Sequence, residues 1–78
     1  MSTKIPIVKV KILEKLLFFL GFEAKRQSGS HIFYRHPDGR YTTLPHHGNQ
    51  DLGRPLIRQI LREIEIVPEE FIELMKKM

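Results

Sequence analysis

The stretch SHIFYRHPDGRYTTL, residues 30–44, decides the fold that the rest of the chain must fit. Its two halves are rich in residues that favour strands, and Pro37-Asp38-Gly39 between them favours a type I turn that ends in a left-handed glycine. The stretch therefore predicts a β-hairpin with a three-residue loop. That loop fixes the register of the two strands, which runs to His31 opposite Pro45 at the far end.

Alternation along the two strands divides their side chains between two faces. The face that we expect to pack on helices carries Ile32, Tyr34, Thr42 and Leu44. The other face, which we call the open face, carries His31, Phe33, Arg35, Tyr41 and Thr43. Since directly opposed residues have Cβ atoms about 5 Å apart, the register also predicts that His31 lies close to the pair His46-His47.

Helical periodicity appears on both sides of the hairpin. Each predicted helix has an apolar stripe and a Gly or Pro near one end, which is typical of helix boundaries. The predicted helices span residues 9–20, 55–65 and 68–77. Between the first helix and the hairpin, Phe22 to Gln27 is predicted as a further strand that ends in a turn at Ser28-Gly29.

A chain of 78 residues has room for one hydrophobic core, so we predict a single domain over residues 1–78. The fold class is α+β with the order α-β-β-β-α-α. A three-stranded antiparallel sheet, residues 22–46, is expected to pack on the helices.

Charge is distributed unevenly along the chain, whose formal net charge is +4. Residues 1–62 carry eleven Lys and Arg against four Asp and Glu, whereas residues 63–78 carry two against five. A basic body favours a polyanionic partner, and nucleic acid is the commonest one. A surface that is merely soluble and rich in lysine would have the same composition.

The composition also excludes several classes of protein. The chain has no cysteine, which rules out disulfides and thiolate metal sites and fits a reducing cytoplasm. Apolar runs such as Leu16 to Leu20 are too short to span a membrane, so no membrane partner is expected. Four histidines lie within residues 31–47, but their spacing does not converge as a zinc site requires, and we expect neither a metal nor another cofactor.

The segment Gly29-Ser30-His31 enters a strand from a flexible turn, which suits a histidine that acts on a substrate. An imidazole with a pKa of about 6.5 can accept a proton from a ribose 2′-hydroxyl or return one to a leaving group near neutral pH. The alternative is that His31 only caps the turn through a hydrogen bond.

Basic residues could bind an RNA backbone and place it next to this histidine. Arg54, Arg58 and Arg62 are spaced by four and share one face of the second predicted helix. Guanidinium groups bind phosphate oxygens bidentately, although a solvated helix face would show the same pattern. Further cations that could extend the track are Lys25, Arg26 and Arg35.

Phe33 and Tyr41 share the open face with His31 and Arg35. Aromatic rings beside basic groups can stack on unpaired bases. Exposed aromatic side chains can equally mark the footprint of a protein partner. Both interpretations stay open from the sequence.

Several of these motifs, in this order, resemble the HicA family of toxins. They are Gly21-Phe22, Gly29-Ser30-His31, Pro37-Asp38-Gly39, Pro45-His46-His47, and Ile60-Leu61 ahead of Glu69-Glu70-Phe71. The resemblance implies a fold like the double-stranded RNA-binding domain, metal-independent cleavage of mRNA, and neutralisation by a HicB antitoxin.

The resemblance also implies roles for individual residues. His31 would be the catalytic general acid or base, with Gly29 and Ser30 shaping the turn that presents it, and His47 a possible second histidine. The chain departs from the usual family pattern at two helix ends. It has Glu65-Ile66-Val67 where a Gly-Ile pair is common, and Pro55 where a small residue is usual.

Two other functions compete with the ribonuclease hypothesis. One is a non-catalytic RNA-binding module of the double-stranded type, which would read A-form shape and would not need His31. The other is a protein-interaction domain whose true ligand is an acidic, antitoxin-like partner.

Overall fold

The structure, a computed structural model, describes residues 4–78. In chain order its elements are β1 (Val8–Lys9), α1 (Val10–Phe19), β2 (Glu23–Ser28), β3 (His31–Arg35), β4 (Tyr41–Pro45), β5 (Asp51–Leu52), α2 (Arg54–Glu63) and α3 (Pro68–Lys77). The predicted order of helices and long strands is confirmed, and β2, β3 and β4 form the predicted antiparallel sheet. The third helix has the predicted bounds, and the first two helices begin and end within two residues of theirs.

The register predicted for the hairpin is confirmed pair by pair, from Arg35 opposite Tyr41 to His31 opposite Pro45. Both predicted faces are also confirmed in the burial of their side chains. Tyr34, Thr42 and Leu44 are buried against the helices, whereas the side chains of the open face are exposed or half-buried.

A tight turn of two residues, Gly29 and Ser30, joins β2 to β3, since Ser28 pairs directly with His31. Gly29 has φ +59°, while Ser30 is outside the positive-φ region. This combination is that of a type II′ hairpin turn, in which glycine fits the first central position best. The turn makes His31 the first residue of β3 and leaves it at the rim of the sheet.

The segment that leads into α1 was not predicted to be structured. Val8 and Lys9 pair with Leu52 and Asp51, so a strand lies between the predicted sheet and the second predicted helix, and Lys9 belongs to β1 rather than to the helix. Ile5 is fully buried in the core. Two-residue strands are too short to show any periodicity, which is why the sequence pattern did not reveal them.

One core joins the three helices to β3, β4 and β5, whereas every residue of β2 is exposed. The helices contribute Leu13, Leu16, Leu17, Ile57, Ile60, Leu61 and Phe71, and the sheet contributes Tyr34 and Leu44. The hydroxyl of Tyr34 donates to the carboxylate of Glu14, which satisfies the polar end of a buried ring. Burial, together with this carboxylate, raises the pKa of Tyr34 above its usual value, so the hydroxyl stays a donor. No helix within residues 4–78 has the length and apolar character needed to span a membrane.

Helices α1 and α2 end in the same hydrogen-bond pattern, the Schellman motif. At the end of α1, Gly21 N–H donates to Phe18 O at 3.1 Å and Phe22 N–H donates to Leu17 O at 2.9 Å. Gly21 has φ +99°, the left-handed conformation that this position requires.

At the end of α2, Glu65 takes the place that Gly21 has at the end of α1. Its N–H donates to Arg62 O at 3.2 Å, and Ile66 N–H donates to Leu61 O at 2.9 Å. Glu65 has φ +60° and is the one non-glycine residue with positive φ among residues 4–78. Glutamate at this position therefore has a side chain on a backbone conformation that costs an L-residue about 1–2 kcal/mol.

We expect Glu65→Gly to stabilise the protein, by up to about 1 kcal/mol after the greater entropy of glycine in the unfolded chain is subtracted. Urea unfolding followed by circular dichroism measures the change. Glu65→Ala is the matched control, because it removes the carboxylate but keeps the Cβ, and it should bring no such gain. Equal stabilisation by the two variants would show that the backbone conformation is not the cause.

Candidate functional site

His31 is exposed and lines a cleft of about 230 Å³ between the end of the hairpin and helix α2. The lining residues are His31, Thr43, Pro45, Leu56, Gln59, Ile60 and Glu63. The cleft arises because α2 packs beside β4, the edge strand of the sheet next to β3. His31 and Thr43 are exposed members of its lining, so solvent reaches the imidazole.

Glu63 is a polar group of this cleft that the sequence analysis did not identify as part of the site. Its carboxylate accepts a hydrogen bond from the buried Thr42 hydroxyl at 2.7 Å and one from Gln59 Nε2 at 3.4 Å. These bonds hold the carboxylate between α2 and β4. The cleft that contains His31 therefore also contains a fixed carboxylate.

The histidines after the hairpin line a different cleft from His31. The backbone is close, as predicted, since His46 N–H donates to Ser30 O at 2.6 Å. However, His46 and His47 line a second cleft of about 230 Å³, together with Glu14 and Tyr34. The backbone proximity that the register predicts is therefore present, whereas the side chains of His46 and His47 line another cleft than that of His31.

The predicted cations of the sheet differ in their surroundings. Arg35 is exposed on the open face, and the guanidinium of Arg26 lies over the ring of Phe33, 5.7 Å from its centroid. Lys25 lies at an irregularity in the pairing of β2 with β3 and forms an ion pair with Glu23 at 2.8 Å. Arg26 and Arg35 form no ion pair within residues 4–78 and remain available to a phosphate.

The predicted arginine row on α2 is divided in the same way. Arg54 Nε donates to the carbonyl oxygen of Ile5 at 2.7 Å, which ties α2 to the segment before β1. Arg58 and Arg62 are exposed and form no ion pair among the residues that the structure describes. Each precedes a residue of the His31 cleft, Gln59 or Glu63, by one position in the helix.

His36 has a structural environment rather than that of a reactive group. Its Nε2 faces the carbonyl oxygen of Leu20 at 3.1 Å. Its ring lies edge-on to the ring of Phe22, with the two centroids 5.1 Å apart. The neighbouring Arg40 donates through Nη1 to Ile64 O at 2.6 Å and so connects the hairpin to the end of α2. Between residues 4 and 78 no three histidine, aspartate or glutamate side chains converge to hold a metal ion.

A small basic α+β domain with an exposed histidine at the rim of its sheet fits a class of proteins that the comparisons define. Residues 10–66 match the sequence model of the HicA toxin of bacterial toxin–antitoxin systems. The match spans most of the chain and includes the whole His31 cleft, and the protein belongs to the HicA toxin family. A search of curated proteins found no match.

Proposed function

We propose that this toxin is an mRNA interferase, an endoribonuclease that cleaves mRNA without a metal ion and uses His31 as general acid or base. The observation that carries the proposal is the placement of His31. Its imidazole is exposed at the rim of the sheet, in a cleft lined by residues of α2, and Arg35 on β3 and Arg58 on α2 form no ion pair among residues 4–78.

The proposed reaction is a phosphoryl transfer from the 5′-oxygen of one nucleotide to the 2′-oxygen of its neighbour. Neutral His31 accepts the proton of a ribose 2′-hydroxyl, and the 2′-oxygen attacks the adjacent phosphorus. The bond from phosphorus to the 5′-oxygen breaks, and that oxygen takes a proton from protonated His31 or from water. Positioned proton transfer of this kind contributes about 10²–10⁴ in rate.

The side chains around His31 support this role. The type II′ turn at Gly29 and Ser30 fixes where β3 begins and hence where the imidazole stands. Glu63 lies in the same cleft and adds a carboxylate to its lining. His47 lines the other cleft and is not needed for the proposed proton transfers.

RNA would lie along exposed cations on either side of the cleft, Arg26 and Arg35 on the sheet and Arg58 and Arg62 on α2. Lys25 would contribute less, since its ammonium is paired with Glu23. Arg54 would also contribute less, since its Nε donates to a backbone carbonyl. Contacts of this kind add affinity that depends on salt and not on sequence.

We expect the variant Arg58→Ala/Arg62→Ala to bind RNA more weakly and with a shallower dependence on salt. Each lost phosphate contact should reduce the slope of log K against log salt by about 0.7 on a single strand. Fluorescence anisotropy with a labelled oligonucleotide, titrated at several salt concentrations, measures this. The matched control is Lys76→Ala/Lys77→Ala, which removes two exposed cations at the end of α3 and should leave the slope unchanged. An unchanged slope in the α2 variant would show that RNA does not contact α2.

The proposed partner that restrains the toxin is a HicB-type antitoxin. The excess of positive charge on residues 1–62 suits an acidic protein surface as well as RNA. Purified toxin should cut a long single-stranded RNA in the presence of EDTA, and a HicB-type protein should suppress the cutting. RNA that stays intact at low salt, with the toxin folded, would contradict the proposed activity.

A further inference from the structure

Two aromatic rings on the open face form a platform beside His31. The rings of Phe33 and Tyr41 lie with centroids 5.5 Å apart and planes inclined by 34°. Tyr41 is 59% exposed, although it is a large side chain that the core could have used. Since neither ring is part of the buried core, packing alone does not explain the pair.

The platform is surrounded by positive charge. Arg26 lies over the Phe33 ring, 5.7 Å from its centroid, and Arg35 is paired with Tyr41 across the two strands. The acidic residue of the same face, Glu23, is already in an ion pair with Lys25 at 2.8 Å. An apolar surface flanked by two guanidinium groups suits a flat ligand that is attached to an anion.

The strand geometry connects the platform to His31. Phe33 and His31 are two residues apart on β3 and share one face, which separates their Cα atoms by roughly 6.5 Å. A base that stacks on Phe33 therefore leaves its sugar and phosphate within reach of the imidazole.

We propose that Phe33 and Tyr41 form a stacking site for an unpaired nucleobase next to the phosphodiester that His31 attacks. This inference rests on the proposed ribonuclease function and adds the class of substrate, which is single-stranded RNA. Bases in a duplex are stacked on each other and do not offer their faces, so the site selects against double-stranded RNA. Stacking is tolerant of base identity, because every base has a π-face.

The test measures binding apart from cleavage. A labelled single-stranded oligonucleotide with 2′-O-methyl riboses cannot undergo attack by a 2′-hydroxyl, so its affinity is independent of the reaction at His31. We expect Phe33→Leu/Tyr41→Leu to lose about 5- to 150-fold in affinity for each stacked base. Leucine keeps an apolar side chain on the strand, and thermal unfolding verifies that the variant is folded.

Control variants and a second substrate separate stacking from a structural role. Phe19→Leu changes another exposed aromatic, 61% accessible and on α1, and should leave the affinity unchanged. Phe33→Tyr keeps an aromatic ring at the same position and should bind the oligonucleotide about as tightly as wild type. Wild-type protein should bind the same oligonucleotide more weakly when one nucleotide, at the stacked position, is abasic. The leucine variant should bind the abasic strand no more weakly than the intact strand.

The outcomes distinguish this site from the proposed activity. If the leucine variant binds the intact strand as tightly as wild type, the stacking site is overturned even if RNA is cleaved, and the platform is left as a surface for a protein. If a duplex of the same sequence binds equally well and loses as much on the leucine substitution, the selection for single strands is overturned. If stacking is observed but His31→Ala still cleaves RNA, the stacking site stands and the proposed mechanism fails.

Discussion

Replacing His31 with alanine is expected to lower the rate of RNA cleavage by about 10²–10⁴, the contribution of a positioned general acid or base. The side chain is exposed and makes no hydrogen bond within residues 4–78, so its removal should leave the fold intact. Affinity for an RNA strand should also persist, since the exposed arginines of the sheet and of α2 are unchanged. The loss should therefore fall on kcat and not on KM.

Single-turnover cleavage of a labelled RNA, with wild-type and variant protein in parallel, measures this loss. His47→Ala is the matched control, because it removes an exposed imidazole from the neighbouring cleft. That variant should cleave at close to the wild-type rate. A His47→Ala variant as slow as His31→Ala, with both proteins folded, would mean that the second cleft shares in the reaction.

Replacing Phe71 with alanine is expected to cost about 3–5 kcal/mol of unfolding free energy, the usual range for a buried phenylalanine. Phe71 is fully buried in the core, although helix α3 lies outside the residues that match the family. Since domains are stable by only about 5–15 kcal/mol, a loss of this size leaves a small domain close to unfolding.

Urea unfolding followed by circular dichroism would measure the loss in Phe71→Ala. Val67→Ala is a suitable control, because Val67 is an apolar residue next to the same helix but 58% exposed. Its effect should stay within about 0.5 kcal/mol. A loss below about 1 kcal/mol in Phe71→Ala would show that α3 is not part of the cooperative core.

The hairpin could be predicted in detail because its determinants are local. Pro37-Asp38-Gly39 sets the loop, the loop sets the register, and alternation then assigns each side chain to a face. The helices could also be predicted from the sequence, since their apolar stripes repeat over several turns. His31 followed from the same local reasoning, together with the motif that contains it.

The parts that the sequence did not predict depend on residues that are far apart in the chain. The pairing of β1 with β5 joins Val8 to Leu52 through strands of two residues each. Glu63 enters the His31 cleft only because α2 lies along β4, where the Thr42 hydroxyl reaches the carboxylate. No pattern within either segment indicates such a contact.

Glu65 is an intermediate case. The sequence showed that glutamate stands where the family commonly has glycine, but its consequence required the backbone conformation. The structure shows a residue with φ +60° in a Schellman motif, which explains why glycine suits the position. The departure concerns the end of α2 and not the His31 cleft.

The most direct test of the central hypothesis compares two chemically different RNA strands in EDTA. Purified protein is incubated with a long single-stranded RNA, and with a copy in which every ribose carries a 2′-O-methyl group, and fragments are separated on a gel. We predict that wild-type protein cuts the first strand and not the second, and that His31→Ala cuts neither. Cleavage of the 2′-O-methyl strand, or undiminished cleavage by His31→Ala, would contradict attack by a 2′-hydroxyl under the control of His31.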